Sequence, residues 1–221
     1  MTKWKLASVC ALVLAALTGC KSDLTVDAAT EEYFGEPVSK TAALRVEVTS
    51  CKDRDTGLET SDVLQAKQKV AYIFGDAVKY QTCKRERFES FTEFLVPVTV
   101  GGTQETCKAD QVCVGNWQKH KITVFVGETV RNKVKTVLKD AMGYSGLEDI
   151  QVKVAVPLPA NSHFFMPSGF FYDVPIHDGY WTSDKSGKAV IRLSDAAVAM
   201  AFSSGYATVI DFLDRYKKGT P

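Results

Sequence analysis

Between positions 163 and 181 the chain reads HFFMPSGFFYDVPIHDGYW, and this stretch gathers the side chains best suited to acid/base work or to ligand recognition. His163, Asp173, His177 and Asp178 can exchange protons. Tyr172, Tyr180 and Trp181 offer flat ring faces with a polar handle, which suits a platform for a sugar or a peptide and equally a protein hot spot. With three histidines in the chain, few groups titrate near neutral pH. His177 and Asp178 are neighbours, and neighbours on an extended chain point apart, while Asp before Gly is ordinary turn chemistry. The Phe and Tyr pattern also fits a strand whose inner face fills a core. No Gly-x-Ser-x-Gly elbow, His-Glu-x-x-His helix, Gly-x-x-x-x-Gly-Lys loop or Gly-x-Gly-x-x-Gly turn occurs anywhere. No residue is assigned a catalytic role, and Tyr172, Asp173, His177, Asp178, Tyr180 and Trp181 are the candidate binding residues.

Cys51, Cys83, Cys107 and Cys113 raise a second possibility. Four thiols can hold zinc, but no Cys-x-x-Cys pair is present and no histidine sits at ligand spacing beside them, so no metal is expected. As two disulfides they allow three pairings. We expect Cys107–Cys113, six positions apart around CKADQVC, with Cys51–Cys83 as the other pair.

The second pairing depends on the elements around it. ALRVEVTSC, from Ala43, alternates Leu44, Val46 and Val48 with polar residues and predicts a half-buried strand. TSDVLQAKQKVAYIFG predicts a helix capped by Thr60 or Ser61, with Val63, Ala66, Val70 and Phe74 at helical spacing and Gly75 as its stop. AVKYQTC and ESFTEFLVPVTV read as two further strands. If the first two strands run parallel across a right-handed crossover, Cys51 and Cys83 fall at one end of the sheet. HKITVFVGE is another strand, and TVRNKVKTVLKDAMG places Val130, Val134, Val137, Leu138 and Ala141 on one helical face, with Arg131, Lys133, Lys135 and Lys139 on a solvated one. DIQVKVAVPL returns as a strand. This order predicts an α+β fold: a split βαβ, ferredoxin-like core over 42–157 with an antiparallel sheet and two main helices. Residues 158–221 are expected to form a β-rich aromatic extension packed on that core. Within it KAVIRLS reads as a strand and DAAVAMAFSSG as an apolar helix, while ATVIDFLDRYKKG fits either type. Residues 20–41 mix polar, acidic and small residues without a period and read as a tether.

The N-terminus fixes the compartment. Lys3 and Lys5 precede an apolar run from Leu6 to Leu17, followed by Thr18 and Gly19, which is the grammar of a secretory signal over 1–19. The run is shorter than the roughly 17–25 residues of a membrane-spanning helix. Leu17, Thr18, Gly19 and Cys20 resemble the lipobox of bacterial lipoproteins. That resemblance implies a diacylglycerol on the Cys20 thiol, cleavage before Cys20, and acylation of the new amino terminus by a chain such as palmitate. Acyl chains at about 0.8 kcal/mol per buried methylene anchor a protein without a spanning segment. In the enterobacterial members the residue after the cysteine sorts the protein, and Lys21 there implies the outer membrane, with the body in the periplasm or displayed outside. Four remaining cysteines, an even number, suit that oxidising compartment.

Loss of residues 1–19 removes two lysines and no acid, leaving 25 basic against 26 acidic side chains. That balance argues against nucleic acid as a partner. The sequence therefore points to a lipid-anchored, non-enzymatic envelope lipoprotein, without cofactor, that recognises an envelope protein or glycan through its aromatic segment. It loosely resembles the envelope lipoproteins of phages and mobile elements, which implies an accessory or exclusion role. The alternative expectation is a periplasmic hydrolase of cell-wall glycan or peptide, built on His163, Asp173, His177 and Asp178.

Overall fold

A computed structural model describes residues 21–140 and 149–213. The expected signal segment 1–19, the expected lipidation site Cys20 and Ala141 of the apolar helix face lie outside the described residues. The chain begins with β1 (Ser22–Asp27), which pairs antiparallel with β2 (Val38–Val48) and parallel with β7 (Ile150–Leu158). The expectation of a tether over 20–41 is thus corrected for residues 22–41. Leu24 and Val26 are buried, and α1 (Thr30–Phe34) carries the fully buried Tyr33, whose hydroxyl donates to the Ala155 carbonyl at 2.9 Å. Two apolar residues at a period of two make too short a pattern to register as a strand, yet strands on both sides satisfy the backbone.

β2, α2 (Ser61–Phe74) and β3 (Lys79–Glu86) form a split βαβ unit around β4 (Glu89–Val100), because β2 and β3 both run antiparallel to β4. The Thr60 side chain accepts from the Val63 amide and caps α2, whose Val63, Ala66 and Val70 are buried. Gly75, at φ 80°, ends it. Cys51 follows β2 and Cys83 lies on β3, and they join as expected with Cα atoms 5.5 Å apart. The ferredoxin-like expectation needs correction beyond this unit: β1 separates β2 from β7, and further strands extend the sheet on both sides.

β4 ends at Gly101, where φ is 87° and an added Cβ would lie 2.5 Å from the Glu36 carbonyl oxygen, so only glycine lets the α1 corner pack this closely. The Cys107–Cys113 disulfide follows and leads into β5 (Val112–Trp117), a strand absent from the sequence reading. β6 (Lys121–Val126) pairs with β5, and α3 (Glu128–Asp140) packs on α2 with Val130 and Val134 buried.

The segment after β7 is woven into the same sheet. β8 (His163–Met166), β9 (Gly169–Phe171), β10 (Val174–Ile176) and β11 (Gly179–Thr182) are followed by β12 (Gly187–Leu193), α4 (Asp195–Ser204) and β13 (Tyr206–Phe212). The full order is β10-β9-β12-β7-β1-β2-β4-β5-β6-β13-β8-β11, with β3 on β4 as an additional strand. The protein is thus a mixed α/β molecule, mostly strands, whose sheet curls into a half-barrel. The apolar α4 touches β13 and β6 near one end of that order and β7 and β12 near the other, as only an element inside the curl can. Val198, Ala201 and Phe202 of α4 join the core there.

Candidate functional site

The two ends of the sheet order come from one stretch of chain. β8 belongs to one end and β9 to the other, joined only by Pro167 and Ser168; β10 and β11 are likewise joined only by His177 and Asp178. Two short links therefore lace the edges of the curl along a seam. The links are themselves tied, since the Asp178 amide donates to the Ser168 hydroxyl at 3.1 Å. A cavity of about 280 Å³ opens along the seam. Leu158, Phe164, Met166, Phe171, Ile176 and Trp181 supply apolar walls. Lys185 and Lys188 stand on its rim, where Lys188 is paired with Asp27.

The hairpin from β9 to β10 turns on Tyr172 and Asp173, both at positive φ (48° and 61°) between the paired Phe171 and Val174. Two left-handed residues in a two-residue loop make a type I′ turn, which ordinarily calls for Asn and Gly. A bulky residue there costs about 1–2 kcal/mol. Three contacts hold the strained turn: the Tyr172 hydroxyl donates to the Lys188 carbonyl, Asp173 Oδ1 lies 3.6 Å from Arg192 Nε, and the Arg192 guanidinium stacks 3.3 Å over the Phe170 ring.

The six candidate binding residues are brought to this seam, but not onto one face. Trp181 and Tyr180 are consecutive on β11 and point to opposite sides. Trp181 lines the cavity, whereas Tyr180 is 77 % exposed and meets its cross-strand partner Phe165 edge-on at 5.4 Å. Tyr172 and Asp173 occupy the turn, and His177 and Asp178 the link. Val174, Tyr172, Trp181 and Tyr180 are all large apolar side chains left exposed within ten positions. Sequence reasoning read Leu158 and Lys188 into strands without seeing that they wall a cavity, and Met166 and Ile176 lie on strands too short to show a period, although the Phe164 and Met166 alternation in HFFM carried the signal.

The acid/base residues do not converge. His163 pairs across the β8–β11 hairpin with Thr182 at one end, while His177 and Asp178 lie beyond the Met166–Gly179 pair at the other. Asp173 is engaged with Arg192 at the far end of the β9–β10 hairpin. Among the described residues no group of three His, Cys, Asp or Glu side chains could hold a metal ion. The basic face of α3 is partly used internally, with Arg131 donating to the Ser203 carbonyl at 2.9 Å and Lys133 over the Tyr72 ring. The Lys139 side chain lies outside the described residues. No described helix is long and apolar enough to cross a membrane.

Neither the curated proteins nor the solved structures contain a match to this chain. A family model does match, over residues 22–214, a span that begins with the first residue of β1 and closes just after β13. The strand read as a tether and the seam strands are thus parts of one family unit, and the chain belongs to the family described as a domain of unknown function, DUF7424.

Proposed function

We propose that this protein is a lipid-anchored, non-enzymatic component of the bacterial envelope that captures another envelope component at the seam of its sheet. One observation carries this reading: Tyr172 and Trp181, both exposed, line an apolar cavity beside a strained turn, with exposed Val174 and Tyr180 close by on the same seam. Aromatic anchors beside a desolvated pocket are the usual makings of a protein hot spot. The cavity is at the small end of ligand pockets, which run from about 300 Å³ upward, and its walls favour one apolar side chain of a partner over a sugar ring. The lipobox pattern at Leu17–Cys20 and the two disulfides support an envelope location.

Cross-linking of the full-length protein in living cells, followed by identification of what co-purifies, tests the proposal, with Cys20→Ala as the mislocalised control. The expected result is one near-stoichiometric envelope protein, lost in Cys20→Ala and reduced at least tenfold in Trp181→Ala, as deletion of a hot spot worth about 2 kcal/mol requires. Recovery unchanged by both Trp181→Ala and Tyr180→Ala would overturn the site. A clean lane would overturn the capture role and return attention to glycan binding and hydrolysis, with His177 as the residue to remove.

A further inference from the structure

Lys21, the first described residue, is already bonded to the sheet. Its carbonyl accepts from the Glu47 amide at 2.8 Å, and its ammonium lies 3.7 Å from Glu89 Oε1. The Ser22 amide donates to the Asp149 carbonyl at 2.8 Å. Cys20 is the adjacent residue, and consecutive Cα atoms are about 3.8 Å apart. An anchor on Cys20 would therefore have no slack, and the body could not stand off from the bilayer.

Whatever shares this end of the sheet must then meet lipid. The β3–β4 hairpin does: Glu86 pairs with Glu89 across the loop Arg87–Phe88, next to Lys21. Phe88 is 93 % exposed, more than any other large apolar side chain described, and Arg85 and Arg87 beside it are exposed too. An unburied ring flanked by guanidinium groups is costly in water but suits the headgroup boundary, where the ring meets acyl chains and the arginines meet phosphate. The seam lies at the other end. β7 runs parallel to β1 from Ile150 beside Ser22, so Asp27 of the Lys188–Asp27 pair and Leu158 on the cavity wall are about 17 and about 26 Å further along at 3.3 Å per residue.

Resting on the reading of Cys20 as the lipid-bearing residue, we infer that the body sits flush on its membrane with the β3–β4 hairpin tip embedded through Phe88 and the cavity rim turned away from the lipid. The test uses lipidated full-length protein in vesicles of phosphatidylethanolamine and phosphatidylglycerol. Phe88→Cys and Glu105→Cys variants, disulfides checked by mass spectrometry, carry an environment-sensitive fluorophore. The expected result is a blue shift, several-fold brightening and quenching by nitroxide-labelled lipid at position 88 and none of these at 105. The unlabelled natural protein gives a second readout: tryptic cleavage after Arg87 slows several-fold on vesicles relative to unlipidated Cys20→Ala without vesicles, while cleavage after Lys185 does not. Equal behaviour of the two positions in protein that floats with the vesicles would overturn the flush orientation alone. Absence of acyl mass on the N-terminal cysteine would overturn the anchor reading, and this inference with it.

Discussion

A buried phenol helps to hold the N-terminal corner to β7. Tyr33 is fully buried, and its hydroxyl bonds to the Ala155 carbonyl across 122 positions of chain. Burial, with the Asp27 carboxylate nearby, pushes its pKa well above the ordinary tyrosine value of 10.0. The folded state thus holds the neutral phenol, and the stability this contributes is complete below pH 10 and declines as the pH rises beyond it. Denaturant unfolding followed from pH 8 to 11 is expected to show that decline. Tyr33→Phe should remove the part due to this phenol while lowering stability at pH 8 by about 1 kcal/mol, the net worth of the bond. The Lys40 hydrogen bond to Glu32, in the same helix, works on the acid side: it lowers the Glu32 pKa, so its contribution is present above 4.5 and is lost as the pH falls below that value.

At the scale of elements, β1 is the sharpest test. Were residues 22–27 a tether, a charge there would be harmless; in the sheet, Val26→Asp buries a carboxylate between β2 and β7 and is expected to cost several kcal/mol. Circular dichroism melting of the variant, compared with Asp23→Ala, measures it, and an unchanged melt would contradict the position of β1. The same strand shows what was legible. α2 and α3 declared themselves because each carries several apolar residues at one period, with Thr60 and Gly75 marking the ends of α2. β1 did not, because its stability comes from a partner about 130 positions away. The seam strands have three or four residues each, below the length at which alternation can be told from chance, so the candidate binding residues were named while the opposite orientations of Tyr180 and Trp181 were not. Tyr172 and Asp173 hid the type I′ turn, since Tyr is foreign to its first position and Asp stands where glycine is usual in the second.

For the molecule as a whole, the disulfides brace one flank of the sheet. Cys51–Cys83 closes a span of 32 positions and Cys107–Cys113 one of 6. Chain entropy values these at about 4 and about 2 kcal/mol respectively. Paired Cys→Ser substitution is therefore expected to lower the melting temperature more for the 51–83 pair, as differential scanning calorimetry would read; the reverse order would mean that the shorter loop is doing more than restraining the unfolded chain. The split βαβ unit needs only sequence-local contacts and the first disulfide, whereas the curl closes only when residues before β2 meet strands after α3.

That parallel pairing of β1 with β7 also sets a timetable. On the export and cleavage before Cys20 that we propose, β1 crosses the membrane well before β7, so a membrane-embedded peptidase has an interval in which β1 is not yet held by its later partner. Once the Ser22 amide is bonded to Asp149, the chain next to the proposed cleavage position is fixed to the sheet. The proposed maturation is then a race that processing must win before β7 arrives, and mutations that hasten folding are expected to leave more of the protein uncut, as immunoblotting for the precursor would show.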